Sequence, residues 1–196
     1  MSQHRGAAPH TVEPARAALD DAAPLPVEVH RVLPEQWRAH RELRLDMLEV
    51  DPDAFWADLA EVRSRTEEHW REEIAGPRIH LQARAGETVL GGIALLPEGY
   101  TPEHPIPEDR SNIVSLWVRP TARGRGISTL LLRSVAELAH SIGRPELSLD
   151  VDETNSSARA VYERLGFRAT GEREPREGRD SAWIEYVLGA EELLRG

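Results

Sequence analysis

Apolar and polar positions alternate in "VEVHRVL" (27–33), the mark of a strand. Pro34 then opens a helical stretch to about Val50, with Trp37, Leu43, Met47 and Val50 near helical spacing. "DPDAF" (51–55) reads as a turn. A second helical stretch follows from about Ser64 to Ala75, with Thr66 as a cap and Trp70 and Ile74 four apart. "RIHLQARAGETVLGGIALLP" (78–97) predicts a hairpin of two strands about Ala85-Gly86. Residues 97–111 carry four prolines and no periodicity. A loop of that length in a compact domain is often functional. "NIVSLWV" (112–118) is a strand. Ile127, Leu130, Leu131, Ser134, Val135, Leu138, Ala139 and Ile142 then mark one face of a long helix that Gly143 ends. "ELSLDV" (146–151) predicts a strand, 155–165 a helix closed by Gly166, and 167–173 and 182–188 two last strands. The order is β-α-α-β-β-β-α-β-α-β-β, without an internal repeat.

Residues 1–26 are rich in Ala and Pro and show no such pattern, which predicts a disordered tail before a single domain over 27–196. An apolar fraction of 40% in 196 residues can bury a sizeable core. No stretch reaches the roughly 18 apolar residues of a membrane span, and the N-terminus lacks the apolar core of a secretory signal. The expectation is a cytoplasmic protein without membrane contact.

The formal charge of −10 argues against a nucleic-acid partner. It is compatible with a cationic or amine substrate, though many acidic proteins use charge simply for solubility. Without cysteine there is no thiolate nucleophile, disulfide or Cys-based metal site. All 24 basic residues are arginine. The eight histidines are scattered and show no ligand spacing, so no metal is expected.

"RPTARGRGISTLLLRS" (119–134) sets three arginines and two glycines between a strand and a helix. The first N–H groups of a helix lack internal partners, and the helix dipole adds positive charge. Phosphate oxygens satisfy both. Gly124 and Gly126 allow positive φ and close approach, and Arg123 and Arg125 supply charge suited to phosphate. A P-loop is excluded because no lysine is present, and Thr129 stands where a dinucleotide fingerprint needs its third glycine. A tight turn with solvated arginines remains the plain alternative.

About thirty residues on comes "NSSARAVYERLGF" (155–167). Together with "VRPTARGRGISTLLL" (118–132) it resembles the GNAT superfamily of acyl-CoA-dependent N-acyltransferases. The pattern R/Q-x-x-G-x-G/A is met by Arg123 and Gly126, with Ser128 at its last position. Asn155, Ala158, Tyr162 and Gly166-Phe167 match the second block. The resemblance implies an α/β fold: a mixed, mostly antiparallel central sheet flanked by helices, with a splayed strand pair that holds acyl-CoA. It implies a diphosphate cradle over Arg123, Gly124, Arg125, Gly126, Ile127, Ser128 and Thr129. Pantetheine would lie along Leu116, Trp117 and Val118, with an oxyanion donor at Trp117–Val118. Tyr162 would contact the cofactor and act as general acid toward the departing thiolate, though at i+4 from Ala158 it also suits a core. Asn155 would bond the pantetheine or cap its helix.

The base is left unassigned. "NIVSLWV" offers only Asn112 and Ser115, Glu108 and Asp109 precede it, and Asp150 and Glu185 lie on or near other strands; a water chain serves equally. On the acceptor side Phe55, Trp56 and Tyr100 are pocket candidates, Trp37 and Trp70 read as core, and His104 reads as exposed. The implied activity is direct transfer of acetyl from acetyl-CoA to a primary amine of a small molecule. The alternatives are acetylation of protein N-termini or lysines, and a non-catalytic acyl-CoA-binding module. Dimers are common in the family, and nothing in this sequence specifies an interface.

Overall fold

The computed structural model describes residues 26–99 and 105–195. The predicted tail apart from Pro26, together with Tyr100 and His104, lies outside the described residues. Strand β1 (Val27–Arg31) leads through a 3-10 turn at Pro34–Gln36 into α1 (Trp37–Val50). His40, Leu43, Met47 and Leu48 are buried on α1, three and four residues apart with Met47 and Leu48 adjacent, so one stripe faces the core. The predicted second helix is present with its Thr66 cap, and a short helix that the pattern did not mark precedes it. In α2 (Leu59–Ser64) the Asp58 carboxylate accepts the Glu61 amide at 2.8 Å. After an extended Arg65, Thr66 accepts the His69 amide at 3.3 Å and starts α3 (Glu67–Ala75). Six residues carry too little periodicity to reveal α2, although its Val62 is fully buried.

Strands β2 (Ile79–Ala85) and β3 (Thr88–Leu96) form the predicted hairpin, and β4 (Arg110–Val118) begins two residues earlier than its apolar pattern. Then come α4 (Ile127–Ser141), β5 (Glu146–Asp152), α5 (Ser156–Arg164), β6 (Arg168–Pro175), β7 (Ala182–Gly189) and a short α6 (Ala190–Arg195) that the pattern did not mark. The sheet runs β1-β2-β3-β4-β5-β7-β6 and is antiparallel except for β4 beside β5. This is the mixed, mostly antiparallel sheet expected. On one face α4, α5 and α6 bury Leu131, Val135, Tyr162 and Leu193 against strand residues such as Leu90 and Val118. On the other, Leu43 and Met47 of α1 meet Val89 and Trp117. No helix of the described residues is long and apolar enough to cross a membrane.

What positions the site is the failure of β4 and β5 to stay together. They pair only over Arg110–Asn112 and Glu146–Ser148. Beyond that, Ser115 takes φ 58. Gly92 faces Trp117 and Ala94 faces Val114, so Ser115 and Leu116 share the single partner Ile93. Such a bulge bends its strand and leaves one residue unpaired. It lies where β4 swings away from β5.

The far end of β5 is pinned. Asp152 accepts the Thr154 amide (2.7 Å) and hydroxyl (2.6 Å), the Ser181 hydroxyl (2.9 Å) and Arg176. Both side chains of the Asp152–Arg176 pair are 6% exposed. Burial alone would push this carboxyl up, but the Thr154, Arg176 and Ser181 donors outweigh it and hold it far below the ordinary range. A depressed carboxyl stabilises the fold fully above its unfolded pKa of about 3.9, and that contribution is lost as pH falls toward the folded value. Asp152→Ala leaves the Arg176 guanidinium buried and unpaired. It should lower unfolding stability by about 3–5 kcal/mol in urea denaturation. An acid-unfolding profile no steeper in wild type than in the variant below about pH 4 would contradict this role.

Candidate active site

A cleft of about 950 Å³ opens where β4 and β5 part. Ile113–Val118 form one wall and Leu149–Asp152 the other, and Asn155, just ahead of α5, with Ala158 and Tyr162 on it, closes one side.

The glycine turn closes one end. Gly124 and Gly126 hold φ 76 and 77, and Gly126 is the N-cap of α4. A Cβ at either would meet nothing within 4 Å. The demand on these positions is therefore backbone conformation rather than space. The α4 ladder begins with the Leu130 amide on the Gly126 carbonyl, at 3.0 Å. The amides of Ile127, Ser128 and Thr129 precede it and lack intrahelical partners. All three residues line the cleft. Arg123 lines it too, but its guanidinium is engaged: Nε donates to the Val118 carbonyl at 3.0 Å and a terminal nitrogen to Asp51 at 2.5 Å. Arg125 is exposed and is not among the lining residues. The positive character of the turn thus rests on its amides more than on either arginine.

Along β4 the Arg119 amide donates to Leu90 at 2.8 Å. Antiparallel alternation turns the Trp117 amide the same way, toward β3, and leaves that of Val118 facing the cleft. Of the two residues expected to offer a backbone donor, the geometry favours Val118. The Trp117 ring turns toward α1, where Nε1 donates to Asp51 at 2.6 Å. Leu116 sits in the bulge.

Tyr162 is buried beside the cleft, its ring edge-on to Phe167 at 5.7 Å. Burial pushes its phenol well above the ordinary tyrosine value. Asn155 caps α5 by accepting the Ala158 amide at 3.1 Å, and it also lines the cleft. Phe55 and Trp56 both line the cleft. Trp56 is 67% exposed and stacks on Trp183 at 5.3 Å. Arg176 lies 4.1 Å over that same Trp183, which strand alternation alone did not mark as a rim residue. Trp70 is fully buried, with Trp37 packed against its cluster, as core.

The carboxylates fall differently from expectation. Glu108 and Asp109 are exposed in the turn ahead of β4, and neither is among the residues lining the cleft. Glu185 pairs with Arg110 at 3.2 Å and is also absent from the lining. Asp150 does line it. So do Asp51 and Glu73, which nothing in the local sequence marks. Asp51 is occupied by Arg123 and Trp117. Glu73 accepts Arg65 at 2.7 Å, and its other oxygen lies 4.0 Å from His40 and 3.9 Å from His80. Burial pushes the Glu73 carboxyl up, but the two imidazoles and Arg65 outweigh it and hold it at about 2. Burial, reinforced by His40, lowers His80 to about 3.

Two of the eight histidines do converge. His40, Glu73 and His80 bring ligand-type atoms within 4.8 Å of one another from α1, α3 and β2. The nearby positive charges of Arg44, Arg65 and Arg78 oppose a further cation there. Arg44 carried the one legible signal, a charge on the stripe of His40, Leu43 and Met47.

The sequence model of the acetyltransferase (GNAT) family matches residues 32–167. N-acetyltransferase 8B of Homo sapiens is 33% identical over 90 residues, which are 46% of this chain and 38% of that protein. The chain thus spans well under half of that curated relative. PaiA N-acetyltransferase of Thermoplasma acidophilum, solved in complex with coenzyme A, superposes with a TM-score of 0.61 at 20% identity, over 82% of this chain and 98% of that one. A Salmonella typhimurium protein solved with its cofactor acetyl-CoA gives 0.65 at 15% identity, over 84% and 94%. At such identities the two structures establish a shared fold. The family match takes in the bulge, the glycine turn and the Tyr162 helix together, over more than half of the sequence, and the chain belongs to the acetyltransferase (GNAT) family.

Proposed function

We propose that the protein transfers an acetyl group from acetyl-CoA directly to a primary amine of a small molecule. One observation carries this reading: a single cleft runs from the unpartnered amides at Ile127–Thr129, past the open edge of β4, to the Tyr162 side chain. The amides suit a diphosphate. The β4 edge that β5 leaves unpaired suits an amide chain such as pantetheine, which takes the place of a strand.

Acetyl-CoA supplies an activated thioester carbonyl. The Val118 amide donates to the carbonyl oxygen as negative charge develops there during C–N bond formation. The Tyr162 phenol, kept protonated by burial, donates to the sulfur as the C–S bond breaks. The attacking amine must be neutral, and its proton passes to Asp150 or to water beside it. Direct transfer fits a chain without cysteine.

The test is thiol release from acetyl-CoA with a panel of small amines and a panel of peptides bearing free N-termini or lysines. The expected result is thiol release and a one-acetyl mass gain on a small amine. Acetylation of peptides alone would move the acceptor to proteins. Tight coenzyme A binding without transfer to any acceptor would leave a non-catalytic binding module.

A further inference from the structure

The net charge of the chain is negative, but the acceptor end of its cleft is not. Three guanidiniums line it: Arg44 from α1, Arg65 between α2 and α3, and Arg78 ahead of β2. Glu73 is the carboxylate among them. Arg65 is already neutralised by Glu73 at 2.7 Å and Glu61 at 2.8 Å. Neither Arg44 nor Arg78 forms an ion pair among the described residues. Arg44 donates to the Ser115 hydroxyl at 3.1 Å and lies 5.5 Å over the Phe55 ring. Burial lowers Arg44 to about 10, with Arg78 and Arg65 acting in the same direction against Glu73. The other cleft carboxylates described above as paired, Asp51 and Asp152, are held by Arg123 and Arg176.

A desolvated guanidinium without an anion is costly, and a planar fork of donors matches a carboxylate or phosphate. Its position fixes what would bring that anion. Arg44 is tied to Ser115, whose bulge faces Ile93 while Val118 faces Gly91, two strand steps or about 7 Å along the sheet. We infer that Arg44 and Arg78 form an anion subsite, and that the acceptor is an amine carrying a carboxylate or phosphate a few bonds from its nitrogen. This rests on the transferase reading for the amine but not for the anion. It disfavours polyamines and aminoglycosides, whose further charges are positive.

Two measurements separate the claims. In the first, N-acetylated amino acids and the matching N-acetyl amides are titrated calorimetrically into the protein saturated with coenzyme A. These probes carry or lack the carboxylate and need no turnover. The carboxylates should bind at least about ten-fold more tightly, the value of one charge-assisted pair. Arg78→Ala and Arg44→Gln should each reduce that ratio several-fold, with Arg78, half-buried, as the variant less disruptive to folding. In the second, amino acids are compared with their decarboxylated amines, and phosphoethanolamine with ethanolamine, as acetyl acceptors. The anionic member should show the higher kcat/KM, and the two arms tell carboxylate from phosphate. Equal binding of acids and amides, or equal use of the decarboxylated amines, overturns the subsite. Preferential binding of the acids without transfer to any amine upholds the subsite and removes the transferase reading.

Discussion

Tyr162→Phe should lower kcat about 10²-fold or more while coenzyme A affinity changes by less than about two-fold. Loss of a positioned general acid typically costs this much, because the thiolate must then leave without a proton at hand. Phenylalanine keeps the ring that packs edge-on to Phe167 and lies 6.4 Å from Tyr186, so the packing is preserved. An unchanged melting temperature would verify that. The pH dependence gives an independent check. Burial raises this phenol above its ordinary value of about 10, so it stays protonated through neutral and mildly alkaline pH. Wild-type kcat should therefore show no alkaline fall attributable to Tyr162 below about pH 10. If the variant turns over at the wild-type rate, the tyrosine is only a wall of the cleft.

Gly126→Val should weaken coenzyme A binding by about 10²-fold. At φ 77 a β-branched side chain is strained by roughly 1–3 kcal/mol. The chain would relieve that strain by rotating the start of α4. The amides of Ile127, Ser128 and Thr129 would then lose their common aim, and several hydrogen bonds to one diphosphate would weaken together. Gly143→Val is the matched control. Gly143 has φ 75 just beyond the other end of α4, and a Cβ there also meets nothing within 4 Å. It should cost similar stability and leave affinity unchanged. Equal losses in both variants would mean that general destabilisation, rather than the cradle, governs binding.

What could be read from the sequence was local. The apolar face of α4, the glycines at its start and the Asn155–Phe167 block each lie within one short segment. There, periodicity and turn chemistry speak directly. The bulge at Ser115 was not legible, because "NIVSLWV" gives no sign that two of its residues will share one partner across β3. The acceptor end was hidden for a different reason. Arg44, Glu73, Arg78, His40 and His80 come from α1, α3, β2 and the chain just before it, and only the packing of those helices on the sheet brings them together. Net charge could not help at the same point: −10 over the whole chain is compatible with an amine acceptor and with solubility alone, and it says nothing of the arginines that line one end of the cleft. Glu108 and Asp109 were near in sequence to β4 but stand at the wrong end of it.

Whether the main-chain amides opening α4 hold the diphosphate of coenzyme A can be measured by titrating CoASH calorimetrically into folded wild-type protein. Saturable one-to-one binding is expected, retained in Tyr162→Phe and weakened by about two orders of magnitude in Gly126→Val. Absence of saturable heat up to millimolar CoASH, with the protein shown to be folded, would contradict it.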